Sequence, residues 1–169
     1  NEFFYPYSST ILFRFGARNG MPPCDVTWYD GVDNLPPLPE GYGESELGAD
    51  IPASNQGEYT KQKINPGKII YSRDLIFKGA SHGSTLSIIP KEKAEAMKDK
   101  LPVVPKSPSN HYVNFLRACQ GTEKTRSPFE INGVLSQVFC LGVIAQRLNT
   151  QLFFHPRNKV LTNNDFANA

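Results

Sequence analysis

At 169 residues, 39% hydrophobic and 11% aromatic, the chain is long and apolar enough to build one domain with its own core. Its 18 Lys and Arg against 16 Asp and Glu leave a net charge of +2, spread along the sequence, which excludes the clustered basic footprint of a nucleic-acid-binding protein. No uninterrupted apolar run approaches the roughly 20 residues of a membrane span, and the opening Asn1-Glu2-Phe3-Phe4-Tyr5 carries neither a basic region nor a cleavage site, so a soluble chain with no membrane or nucleic-acid partner is expected.

Ser9 to Gly16 alternates Ile11, Phe13 and Phe15 with Leu12 and Arg14, the period of two that marks a strand with one buried face. Cys24 to Asp30 reads likewise. The Asn19-Gly20 and Pro22-Pro23 pairs between them are turn chemistry, so the two runs form an antiparallel hairpin with a long connection. From Gly31 to Gly67 the pattern dissolves into prolines, glycines and acids, and this is read as a long loop serving as a lid, a partner-binding arm or a mobile segment. Strands resume at Lys68 to Tyr71, Leu75 to Lys78 and Thr85 to Ile89, a meander that brings the sheet to about five strands.

Pro90 sits at the first position of a short charged helix whose Ala94, Met97 and Leu101 share a face and which stops before Pro102. After a proline-rich connector, Ser109 or Asn110 caps a helix in which Tyr112, Phe115, Leu116 and Cys119 form one buried stripe before Gly121 ends it. Asn132 to Asn149 is apolar on more than one side and is expected to be the central helix. Gln151 to His155 reads as a strand continued by Lys159 to Thr162, and Asn163-Asn164-Asp165 opens a helix cut off at Ala169. The chain lacks an initial Met and enters a strand almost at once, so it reads as a fragment of a longer protein at both ends.

The chemistry-bearing residues are few. Gly41-Tyr42-Gly43-Glu44-Ser45-Glu46-Leu47-Gly48 fails the dinucleotide fingerprint, because Glu46 stands where the third glycine belongs, two carboxylates would repel a pyrophosphate, and no strand precedes it. His82, His111 and His155 have no metal-ligand spacing and read first as exposed or locally bonded residues; His82, in a Gly- and Ser-rich turn, is the one placed to reach a pocket. Gly79-Ala80-Ser81-His82-Gly83 fits the letters of a nucleophile elbow but leads into a strand instead of a helix. Trp28, Tyr29 and Asp30 form an edge on which a sugar ring could stack, although core packing beside an Asp-Gly turn is the favoured alternative. Cys24, Cys119 and Cys140, odd in number and widely spaced, fit neither a disulfide framework nor a metal knuckle; Cys119 and Cys140 read as small hydrophobes on helical faces.

Taken in order, ArgAsnGlyMetProPro at 18 to 23, ValThrTrpTyrAspGly at 26 to 31, the turn and strand from Gly79 to Pro90, PheLeuArgAlaCysGlnGly at 115 to 121 and the helix from Gly133 to Asn149 form a series that resembles the Gfo/Idh/MocA oxidoreductases. More narrowly, the series is similar to the C-terminal domain of their bacterial branch. The resemblance covers nearly the whole chain outside the 31 to 67 loop. It implies an α+β fold, an open and mainly antiparallel sheet with helices on one face, of the dihydrodipicolinate reductase-like kind, in a single domain over 1 to 169. The NAD- or NADP-binding Rossmann domain and the Glu-Lys-Pro motif of such enzymes would lie elsewhere. Glu92-Lys93 is followed by Ala94 and does not match that motif, and the family's Asp and His would precede Asn1, so no catalytic, cofactor or metal residue carries over and the fragment alone is expected to be inactive.

What the resemblance leaves to this chain is a wall of the substrate site, with Arg18, Trp28, Tyr29 and His82 contacting a sugar-like molecule, and a sheet that joins copies into a homo-oligomer. The parent would transfer a hydride between NAD or NADP and a hydroxyl carbon of a sugar or cyclitol, or use transient oxidation to cleave a glycoside. The alternative is a non-catalytic carbohydrate-binding or assembly module of the same fold. Compartment, bacterial cytoplasm or periplasm, stays open.

Overall fold

A computed structural model describes residues 5–31, 34–42, 67–80, 85–103 and 105–168. In chain order the elements are β1 (Ser9–Phe15), β2 (Cys24–Asp30), β3 (Gly67–Tyr71), β4 (Ile76–Ala80), β5 (Ser87–Ile89), α1 (Lys91–Met97), α2 (His111–Cys119), α3 (Phe129–Leu148), β6 (Phe154–His155) and β7 (Val160–Leu161). The fold is mixed α+β with small antiparallel sheets. Its contacts divide the chain into two compact units, one made of Asn1–Pro36 with Ser107–Ala169 and the other of Pro37–Lys106.

In the first unit β1 and β2 pair antiparallel from Ser9 opposite Asp30 to Phe15 opposite Cys24. The connection closes on Asn19 and Gly20, both with positive φ (47° and 77°), between reciprocal Arg18 and Met21 backbone hydrogen bonds of 3.1 and 2.7 Å. Two consecutive left-handed residues match the twist of a hairpin, and Asn-Gly is the pair that reaches that conformation at least cost. At the other end the Asn34 amide donates to the Ser9 carbonyl at 2.7 Å and to Thr10 Oγ1 at 3.0 Å, pinning the chain as it leaves the strands.

α3 packs against β1 through its C-terminal half. Phe13 lies against Gly142 so closely that a Cβ there would sit 2.6 Å from the ring tip, and Gln146 Nε2 donates to Ser9 Oγ at 2.7 Å. The helix starts at Phe129, earlier than its apolar pattern indicates, because the Pro128 carbonyl already accepts from Ile131 and Asn132 at 3.1 and 3.0 Å. It ends on Asn149 in the left-handed region. α2 is capped by Asn110, whose side chain accepts from the Val113 N–H at 2.9 Å, and is stopped by Gly121 at φ 74°.

The burial expected of these two helices is not what the first unit shows. Tyr112 and Phe115 of α2 are 79% and 63% exposed, Leu116 and Cys119 are exposed as well, and the buried residue of α2 is Asn114. On α3, Phe129, Ile131, Val134, Leu135 and Phe139 are exposed, so among the described residues it is not a central helix. Apolar periodicity fixes which side of a helix seeks a neighbour; it does not supply the neighbour. Length and composition alone would let α3 cross a membrane. Asn132, Ser136 and Gln137 interrupt its apolar residues, so the helix contains no uninterrupted apolar run of spanning length. Core helices of soluble domains share the property but are mostly buried, whereas α3 is mostly exposed; its contacts with β1 give it a place within its unit.

Lys159 to Thr162 does not continue the preceding strand. Lys159 takes φ 57° and donates its N–H to the His155 carbonyl at 2.9 Å, turning the chain back so that β6 and β7 pair antiparallel. The expected last helix is one 3-10 turn, Phe166–Asn168, opened by Asn164 Oδ1 accepting from the Ala167 N–H at 3.1 Å.

The second unit is the meander β3-β4-β5 with α1 packed on β5. Ser72 makes the β3-β4 turn, its N–H and hydroxyl both donating to the Leu75 carbonyl at 2.9 Å. The core here is Ala80, Ile88 and the fully buried Ile89, a side chain whose burial contributes roughly 1.5 to 3 kcal/mol. Pro90 is the residue before α1 rather than its first, with extended backbone (ψ 175°). After α1 the chain tightens into a 3-10 turn, Lys98–Lys100, and Leu101 is extended, as a residue before proline prefers. The described strands thus form a hairpin, a separate meander and the short β6-β7 pair, and not one five-stranded sheet. Strand alternation reveals faces, whereas which edges meet is a long-range matter that alternation does not encode. Of the 31 to 67 loop, only residues 31, 34–42 and 67 are described.

Candidate functional site

Arg18, Trp28 and Tyr29 belong to the hairpin of the first unit; His82 lies outside the described residues, as do Ser81, Gly83 and most of the Gly41 to Gly48 stretch. Arg18 is held in the β1-β2 turn, its guanidinium 5.6 Å from the centre of the Phe15 ring and its Nη1 donating to the Gly16 carbonyl at 3.4 Å. Trp28 stands opposite Ile11, and Tyr29 opposite Thr10. Consecutive strand residues point to opposite faces, so Trp28 shares the side of Ile11 and Phe13, toward α3, while Tyr29 is on the other side with Leu12 and Arg14. Since α3 lies over β1, the Trp28 side chain stays 53% exposed beside the exposed Val26. Arg18 is near the Phe15 and Cys24 end, four strand residues or about 13 Å from the Trp28 level. The structure therefore does not bring these three side chains onto one surface.

It does assemble a polar network that sequence reasoning missed. Asn114, 4% exposed, donates from Nδ2 to Glu123 Oε2 at 2.8 Å and to the Lys124 carbonyl at 3.1 Å, while its Oδ1 accepts from the Arg126 N–H at 3.0 Å. Glu123 also accepts from Ser109 Oγ at 2.7 Å and pairs with Arg117 Nη1 at 2.8 Å. Arg126 Nη2 returns to the Ser109 and Asn110 carbonyls at 2.6 and 3.0 Å, so the turn after α2 is laced to the cap before it. Hydrogen bonds from Arg117, then Asn114, then Ser109 pull the Glu123 carboxyl down to a pKa of about 2. A carboxylate so fully engaged is a poor proton acceptor near neutral pH, and the network works as a latch on the α2-α3 turn. The one signal in the sequence was an Asn inside a helix, where that residue is a weak former and often has another task.

In the second unit Lys78 is buried, its ammonium donating to the Tyr42 carbonyl and lying 4.1 Å from the centre of the Tyr42 ring. Burial lowers the Lys78 pKa and raises that of the Tyr42 hydroxyl. On the neighbouring strand Lys68 Nζ donates to the Ala80 carbonyl at 2.9 Å. The Lys78 contacts tie Tyr42 to the meander. Among the described residues no three His, Cys, Asp or Glu side chains come together as a metal site; Cys24, Cys119 and Cys140 are all free and exposed, so Cys119 and Cys140 lie on helices as expected but are not buried there as small hydrophobes.

No protein-family model matches the chain, and no curated protein and no solved structure is significantly similar to it.

Proposed function

We propose that the chain is the substrate-binding and oligomerisation domain of a Gfo/Idh/MocA-like oxidoreductase, whose parent transfers a hydride between NAD or NADP and a hydroxyl carbon of a sugar or cyclitol. The observation that supports this reading is the meeting of the two segments that carry the resemblance. The helix with LeuGly...AlaGlnArgLeuAsn at 141 to 149 seats Gly142 against Phe13 and bonds Gln146 to Ser9, on the hairpin whose second strand bears ThrTrpTyrAspGly at 27 to 31. The reading asks further strands to extend the hairpin into an open antiparallel sheet with helices on one face. Trp28 then offers the substrate contact on the α3 side, Arg18 stands at the turn end of the hairpin, His82 is kept as a further proposed contact, and the opposite face with Leu12 and Tyr29 joins copies.

The cofactor, held by another domain of the parent, accepts or donates the hydride; this chain's residues orient the sugar and keep water from one side of it. Calorimetry of the 169-residue chain with NADH and NADPH is expected to show no binding, and the parent is expected to oxidise a sugar or cyclitol with one of them. Tight cofactor binding by this chain, or a parent without nicotinamide-dependent activity, overturns the proposal.

The exposure of Trp28 favours a second reading, a carbohydrate-binding module without chemistry of its own. Trp28 is the only tryptophan, so its fluorescence reports that position alone. A panel of sugars and cyclitols titrated onto the chain should shift the emission with a saturable curve, and Trp28→Phe should remove the signal while Trp28→Ala weakens binding in calorimetry at least tenfold. An unchanged affinity in Trp28→Ala removes this residue from the site in both readings.

A further inference from the structure

No further inference is drawn: the strongest candidate, the exposed apolar stripes of α2 and of the N-terminal half of α3, is a face left uncovered by the described residues, and nothing in the structure shows what covers it.

Discussion

Glu123 illustrates how one side chain can hold a turn without leaving the surface. Its carboxylate gathers donors from Ser109 ahead of α2, from Asn114 and Arg117 within it, while its own backbone sits in the turn beyond. The pKa is depressed from 4.5 to about 2, so the folded state binds the proton less readily than the unfolded chain. The stabilisation is therefore fully present above pH 4.5 and drains away as the pH falls toward 2. Urea melts of the chain and of Glu123→Gln should differ most at neutral pH and converge near pH 2, because the amide mimics the protonated acid. A gap that stays constant across that range would show that ionisation of Glu123 does not stabilise the fold. Asn114→Asp is the sharper perturbation. It sets a second carboxylate against the first and removes the two amide donations, and buried polar losses of this kind cost about 1 to 3 kcal/mol each.

At the scale of elements, the helix-strand contact turns on glycine. Replacing a mid-helix glycine by alanine ordinarily stabilises by about 0.5 to 1 kcal/mol. At Gly133 the added methyl meets nothing within 4 Å, and Gly133→Ala should raise stability by that amount in thermal melts. At Gly142 the same methyl meets Phe13 at 2.6 Å, and overpacking costs of roughly 1 to 3 kcal/mol outweigh the propensity gain. Gly142→Ala should therefore be destabilising, and Phe13→Leu should restore part of the loss in the double variant by vacating the ring tip. Two alanine variants of equal sign would show that α3 does not seat on β1 in this way.

The elements that were legible in the sequence are those whose information is local. The hairpin follows from its alternation and its Asn-Gly pair, α2 from its Asn110 cap and Gly121 stop. What was not legible depends on groups far apart in the chain. Nothing in residues 68 to 89 says whether the meander joins the hairpin, and the donors on Glu123 come from residues 109 to 117. For the candidate site the case is different. The separation of Trp28 from Tyr29 is written in the period of two, which sends neighbouring strand residues to opposite faces.

For the whole molecule, the proposed oligomerisation requires a surface of the first unit that can meet another copy. β1 and β2 pair with each other and with no further strand among the described residues, and a two-stranded ribbon is marginal by itself. Its α3 side is partly filled by the helix, whereas the opposite side carries Thr10, Leu12 and Arg14 beside Asp25, Thr27 and Tyr29. Leu12 is exposed at the middle of that side, directly across from Thr27, and Arg14 stands across from Asp25, so two copies related by a two-fold axis could set apolar against apolar at the centre and opposite charges around it. If this side is the joint, sedimentation velocity at tens of micromolar should show the chain above monomer mass, Leu12→Asp should return it to monomer, and Phe139→Ser on the exposed flank of α3 should leave the association unchanged. The reverse pattern would move the joint to the helix face. A chain that sediments as a monomer at every concentration removes oligomerisation from the proposed function and leaves the substrate wall to stand on Trp28 alone.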